Sequence, residues 1–152
     1  GSPPTHAFAF PDVTNVIMWH VLGMFVPSFF TGWLIKRFGD LNIIIVGAMI
    51  SGLSIAVNLS GDSIYHLRIA MAVVGIGWNF MFTGGTTLLL HTYTPAEKAK
   101  VQGFNDFFVF GTVAVCSLAA GATYQAVGWS AVNLAAAPLL ALVVAVIILF
   151  VG

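Results

Sequence analysis

Three polar side chains with useful chemistry lie inside or beside long apolar stretches: His20, Asn79 and Asp106. An imidazole can relay protons near neutral pH, and an ionisable group in apolar surroundings is a functional candidate by default. The Asn79 carboxamide can hydrogen-bond either a bound solute or a neighbouring helix. His20 has the same structural alternative, or it reaches the interface.

The residues around Asn79 add an apolar wall and hydroxyl groups. Trp78 precedes it, Phe82 and Thr83 follow, and Thr86 and Thr87 come soon after. A solute held by Asn79 would pack against Trp78 or Phe82. Consecutive helical residues point about 100° apart, so Trp78 and Asn79 need not face the same space. His20, Trp78, Asn79 and Thr83 are the cavity candidates.

Other chemistries have little support in the sequence. The four histidines, at positions 6, 20, 66 and 91, lack metal-ligand spacing, and Cys116 is the single cysteine. We find neither a Ser/His/Asp set nor paired intramembrane carboxylates, so we expect no enzyme, no metal site and no cofactor. Five Lys and Arg balance five Asp and Glu, which gives no reason to expect nucleic acid.

The composition is that of an integral membrane protein. Hydrophobic residues make up 59% of the 152 and charged residues only 7%, with a mean hydropathy of +1.01. Soluble domains carry about 25% charged residues. We therefore expect the lipid bilayer to be the main partner of the chain.

The charged residues divide the sequence into long uncharged stretches, the last of them long enough for two membrane spans. A span needs about 20 apolar residues, and Gly128 offers a break in that last stretch. We predict an all-α bundle of five transmembrane helices, at about 13–35, 42–60, 65–90, 101–126 and 130–151. Residues 1–12 are predicted to be a tag scar and an extracytoplasmic lead-in, and residues 13–152 the bundle.

Basic residues and small residues predict how the spans are arranged. Lys36, Arg37, Lys98 and Lys100 fall on one side of the bundle, which the positive-inside rule makes cytoplasmic. The amino terminus is then outside and the carboxy terminus inside.

Pro27 predicts a kink in the first span. Small residues four apart permit close helix crossings, and three pairs have this spacing: Ser28/Gly32, Ala48/Gly52 and Ser117/Gly121.

Two connecting segments carry the most specific pattern. Residues 32–39 read Gly-Trp-Leu-Ile-Lys-Arg-Phe-Gly, a tight basic turn between two spans. It resembles the major facilitator superfamily signature G-x-L-x-D-R-x-G through Gly32, Leu34, Arg37 and Gly39. Lys36 stands where the amino-terminal copy of that signature has Asp, which points to the weaker copy in the carboxy-terminal half.

The second segment, Thr94-Pro95-Ala96-Glu97, reads as a capping box and is similar to the family's connection between later helices.

The resemblance implies helices eight to twelve of a twelve-helix transporter, with spans one, three and four facing the cavity. The missing amino-terminal half, or another protein chain, would be the protein partner. Gly32, Arg37, Gly39 and Asp106 are the candidate gating or structural residues. We expect Arg37 and Asp106 to form a structural or gating ion pair, the alternative being that Asp106 carries protons.

Two functions follow from these observations. The first is a fragment of a secondary active transporter in a bacterial inner membrane, moving a small solute of unknown identity by alternating access. The second is a membrane assembly or partner-binding module that keeps the half-transporter fold without transporting. The Gly75-x-Gly77 stretch lies within a span, so a nucleotide-binding loop is not expected.

Overall fold

The computed structural model describes residues 10–61 and 63–151, and all regular structure in those ranges is helical. Six α-helices follow in chain order: α1 (Phe10–Phe25), α2 (Ser28–Phe38), α3 (Asp40–Ser60), α4 (Ile64–Leu90), α5 (Lys98–Val127) and α6 (Trp129–Val151). A 3-10 turn, Pro95–Glu97, precedes α5. The predicted scar and most of the lead-in lie outside the described residues.

Five helical segments of the described chain are long and apolar enough to cross a membrane. They are residues 10–38, 40–60, 64–90, 95–127 and 130–149. The first combines α1 with α2, and the other four correspond to α3, α4, α5 and α6. The predicted all-α bundle of five transmembrane helices is confirmed.

The breaks between helices have local causes that the sequence contains. Gly39 and Gly128 have φ angles of 86° and 92°, a region that favours glycine, and they separate α2 from α3 and α5 from α6. The predicted capping box is formed, because the Thr94 N–H and hydroxyl both donate to Glu97 Oε2, at 3.1 and 2.8 Å. Pro27 lies in the two-residue gap between α1 and α2. The predicted kink is therefore a break of the helix.

The fourth helix, α4, is the centre of the packing. Gly75 faces α1 so closely that an added Cβ would lie 2.5 Å from the His20 carbonyl oxygen. On the α3 side, a Cβ at Gly47 would lie 2.8 Å from the Gly77 carbonyl oxygen. Ser54 of α3 also donates a 2.8 Å hydrogen bond to the Ala70 carbonyl of α4. Glycines thus let α4 lie directly against both neighbours.

The predicted close crossings lie elsewhere. A Cβ added at Gly32, Gly52 or Gly121 would meet nothing within 4 Å. The close crossings that this spacing permits are therefore not made at these three glycines, because small residues four apart permit contact without requiring it. The glycines that do face another backbone closely are Gly23, Gly47, Gly75 and Gly77.

The remaining helices leave a cleft beside α4. In the described chain, α5 contacts α4 and α6 but neither α1 nor α2, and α5 contains no buried residue. The sixth helix packs on α3 and, less extensively, on α5. The broken first span and α5 therefore border an open space, with α4 between them.

Candidate solute cavity

Asn79 joins the middle of α4 to the broken first span. Its side chain is buried, and its Nδ2 donates to the Met24 carbonyl oxygen at 2.8 Å and to Ser28 Oγ at 2.6 Å. Its Oδ1 accepts a 2.6 Å hydrogen bond from Thr31 Oγ1. One amide therefore binds the last turn of α1 and the first turn of α2. The structure shows the interhelical hydrogen bonds, and a solute contact of Asn79 stays a prediction.

Pro27 explains why the backbone needs these bonds. Proline has no N–H to donate to the Gly23 carbonyl four positions earlier, and its ring clashes with that carbonyl, so the helical hydrogen-bond ladder is interrupted here. The next carbonyl, that of Met24, accepts from side chains instead, from Asn79 and from the Ser28 hydroxyl at 3.2 Å. Polar side chains that satisfy freed backbone groups are what allow proline within a membrane helix.

His20 lies half-buried between α1 and α4. Its Nδ1 is 3.0 Å from the Met71 carbonyl oxygen. Because a carbonyl only accepts, this bond places the ring proton on Nδ1 and leaves Nε2 as an acceptor in the neutral imidazole. Within the described chain, Nε2 has no hydrogen-bond partner. His20 thus combines an interhelical bond with one free ring nitrogen.

An aromatic cluster lies on the side of α4 that faces α5. Trp78 and Phe82 stack with ring centroids 5.9 Å apart and planes inclined by 12°. Phe110 of α5 lies 6.2 Å from Phe82, centroid to centroid. We name Trp78, Phe82 and Phe110 the aromatic cluster.

Thr83 does not join this cluster. It follows Trp78 by five residues and therefore points about 140° away around the helix. Its carbonyl accepts a 2.7 Å hydrogen bond from the Thr87 hydroxyl, within α4. The four predicted cavity residues thus point in different directions: Asn79 towards the first span, His20 from the first span towards α4, and Trp78 towards the α5 side.

The basic turn between α2 and α3 is ordered by glycine and by aromatic rings. The Gly39 N–H donates to the Ile35 carbonyl at 2.8 Å and closes α2. The Arg37 guanidinium carbon lies 5.5 Å from the centre of the Trp33 ring and 5.7 Å from that of Phe38. Cation–π contacts therefore hold Arg37.

The expected ion pair between Arg37 and Asp106 is not formed. The helices that carry them, α2 and α5, make no contact in the described chain. Asp106 is half-buried, and its Oδ1 accepts a 3.4 Å hydrogen bond from the Asn105 amide. Both residues lie towards the predicted cytoplasmic side, but the cleft separates their helices.

Two contacts between a basic and an acidic side chain of the described chain were not predicted from the sequence. Arg68 at the start of α4 lies 3.0 Å from Asp12 of α1 and joins the two helices in an ion pair. At the other end of α4, His91 Nε2 lies 3.3 Å from Asp40 Oδ2, at the first residue of α3. Each pair joins residues about fifty positions apart, and only the close packing of α4 on α1 and α3 reveals them.

The family is established by a comparison with known proteins. A model described as the Major Facilitator Superfamily matches residues 5–152. The chain belongs to the major facilitator superfamily. No solved structure matches it significantly.

Three bacterial transporters are similar to this superfamily chain. Riboflavin transporter RfnT of Brucella anthropi is 46% identical over 133 residues, which cover 88% of the chain and 33% of RfnT. Two uncharacterized MFS-type transporters of Bacillus subtilis, YddS and YdeG, are each 34% identical over 66% and 68% of the chain, and 24% and 25% of their own lengths. The chain thus spans a quarter to a third of the curated relatives it matches.

The partners of Asn79 are the functional residues that sequence reasoning missed in this superfamily member. Met24 contributes only a backbone carbonyl, and Ser28 and Thr31 are common residues that carried no distinctive signal. Pro27 indicates that such a contact is needed, because a proline inside a span leaves a backbone carbonyl without its N–H donor and this carbonyl requires a polar partner. Asn79 is the most central polar side chain of the neighbouring span.

Proposed function

We propose that this chain is the carboxy-terminal part of a secondary active transporter of the major facilitator superfamily, and that it moves a small solute by alternating access. Riboflavin is the first solute to test. The observation that carries the proposal is the 46% identity to a riboflavin transporter over 88% of the chain. The departure at Lys36 from the amino-terminal signature supports the assignment to the carboxy-terminal half.

The geometry supports a role in moving a solute. The helix break at Pro27 and the polar contacts of Asn79 lie near the middle of the membrane spans. Interrupted helices near the bilayer midplane, facing an open cavity, are a recurrent feature of secondary transporters. His20, Trp78, Asn79 and Thr83 are the proposed cavity residues, of which His20 retains a free ring nitrogen.

The test is uptake of labelled riboflavin by cells that need external riboflavin and lack their own transporter. The complete protein containing this chain is expected to restore uptake, whereas an empty vector is not. Unlabelled riboflavin should compete with the labelled solute. A protein that reaches the membrane folded but takes up no riboflavin would contradict riboflavin as the solute.

The alternative, a membrane assembly module, makes a different prediction. The chain exposes the whole length of α5, which a module could use to bind a second copy. A tight dimer in nanodiscs together with no uptake of any solute in a vitamin and nucleoside panel would favour the module. Uptake by the complete protein would exclude it.

We infer that Gly32, Arg37, Gly39 and Asp106 act at the cytoplasmic gate. Arg37 and Asp106 are separated by the cleft in this structure, so their attraction would favour a state in which the cytoplasmic ends of α2 and α5 approach. Asp106→Asn should lower the maximal rate of uptake several-fold at an unchanged KM. A variant with an altered KM alone would contradict the gating role.

A further inference from the structure

We propose that the aromatic cluster of Trp78, Phe82 and Phe110 is a stacking surface for a planar heteroaromatic ring of the solute. This inference rests on the proposed transport function and adds the chemical class of the solute and the side chains that select it. The Trp78 and Phe82 rings of α4 stack nearly parallel, inclined by 12° with centroids 5.9 Å apart, an arrangement that a further flat ring can extend.

The position of the cluster follows from how α4 is packed. Gly75 and Asn79 face the first span, while Gly77 and Gly84 face α3. At about 100° per residue, Trp78 points towards neither the first span nor α3, but into the angle between them. The packing of α4 on its main neighbours therefore leaves the Trp78 side open to the cleft, and Phe82 joins that side through its stacking on Trp78 and its contact with Phe110.

The rings are only partly covered. Trp78 and Phe82 are half-buried, and Phe110 is 56% exposed. A tight packing cluster between α4 and α5 would bury its rings, but here the ring contact between the two helices is a tilted one, with 6.2 Å between the Phe82 and Phe110 centroids. Ring surface thus remains available to a solute in the cleft.

The surroundings of the cluster favour an uncharged ring with polar substituents. Phe110 and Asp106 are four residues apart and share a face of α5, so a carboxylate lies one turn from the rings and disfavours anions. The exposed Ser28 hydroxyl at the start of α2 is a neutral hydrogen-bonding group on the first span. Aromatic stacking holds flat rings with little dependence on their substituents, whereas polar groups select among them.

Binding to the complete protein in nanodiscs tests the site, with riboflavin, lumiflavin and ribitol as probes. Lumiflavin keeps the flavin ring and lacks the ribityl chain; ribitol is that chain alone. We expect both ring probes to bind and ribitol not to compete with lumiflavin. Trp78→Leu should weaken the binding of both ring probes about tenfold, since leucine offers no flat ring on which they can stack. Trp78→Phe should restore most of this loss.

A matched control is available on α5. Phe104 and Phe108 also stack, with centroids 6.5 Å apart, but on a face of α5 turned well away from Phe110. The double variant Phe104→Leu/Phe108→Leu removes as much aromatic surface without touching the cluster. It should leave the affinity for lumiflavin unchanged within about twofold, because it lies outside the proposed site. Equal weakening by the control and by Trp78→Leu would overturn the proposal.

The outcomes separate this inference from the proposed function. Riboflavin uptake with a KM that Trp78→Leu and Phe82→Leu both leave unchanged would overturn the stacking site while the transport function stands. Trp78-dependent binding of lumiflavin without riboflavin uptake would support the site and contradict riboflavin as the transported solute. Failure of the unsubstituted protein to bind any ring probe would overturn the site.

Discussion

At the scale of single residues, Asn79 makes the largest set of specific contacts in the described chain. Both of its N–H groups and its carbonyl oxygen are used, and all three partners belong to the first span. A buried amide in a membrane has no water to replace a lost partner. The stability of the junction between α1 and α2 therefore depends on this side chain.

Asn79→Ala is expected to lower the free energy of unfolding by about 1–2 kcal/mol, because interhelical hydrogen bonds in membranes contribute about 0.6 kcal/mol on average. The measurement is unfolding by sodium dodecyl sulfate in mixed micelles, followed by circular dichroism. Asn42→Ala is the control, since Asn42 is exposed and bonds only the Phe38 carbonyl, at 2.7 Å. Equal losses in the two variants would contradict the role of Asn79.

The sequence predicted which side chains matter at this scale better than it predicted their partners. Asn79 and His20 were recognisable because polar groups are rare in apolar spans. Their contacts lie 48 to 55 residues away and depend on the rotation of each helix. In a membrane protein, lipid-facing and core-facing residues are equally apolar, so hydropathy does not reveal that rotation.

At the scale of helices, glycine spacing on α4 controls the packing. Gly75→Ala would place a Cβ 2.5 Å from the His20 carbonyl oxygen and 3.0 Å from the Met24 nitrogen. Both are backbone atoms of α1 and cannot rotate away. We expect a loss of about 1–3 kcal/mol in the free energy of unfolding, the usual cost of overpacking.

Gly85 provides a control for this prediction within the same helix. A Cβ at Gly85 meets nothing within 4 Å, so Gly85→Ala adds the same methyl group without a clash. Alanine is favoured over glycine in helices by about 1 kcal/mol, so this variant should be neutral or slightly stabilised. Comparable destabilisation of both variants in the same micelle assay would show that α1 and α4 are not in close backbone contact.

The break of the first span couples two elements through Pro27 and Asn79. With Pro27→Ala the helix can continue, and the Met24 carbonyl can accept from a backbone N–H instead of the Asn79 amide. Asn79→Ala should then lower the free energy of unfolding by less in the Pro27→Ala background than in the original chain. We expect a coupling of about 0.5–1 kcal/mol in a double-mutant cycle. Additive effects would mean that the helix break does not depend on Asn79.

The number and limits of the spans were predictable because few residues are charged and the connections contain strong signals. Pro27, Gly39, Gly128 and the Thr94–Glu97 capping box each end or begin a helix in the structure. The expected pairing of Arg37 with Asp106 is not formed in this structure, because helices that share a membrane side need not share an interface. Here α2 and α5 do not touch.

At the scale of the whole molecule, the described chain is open on one side, because α5 buries no residue and touches neither α1 nor α2. Lipid covers the outward faces of a membrane bundle, but a cleft that contains polar groups needs a protein or a solute to complete it.

The orientation of the chain in the membrane can be tested with single cysteines. Basic residues at positions 36, 37, 98 and 100 predict that the α2–α3 and α4–α5 connections are cytoplasmic, and Ser63 before α4 is then predicted to lie outside. After Cys116→Ser, Ser63→Cys should react with an impermeant maleimide in intact cells, and Lys98→Cys only after permeabilisation. Both positions are exposed, so neither reaction is limited by burial. The reverse pattern would place the basic connections outside and would also move the proposed gate to the other side of the membrane.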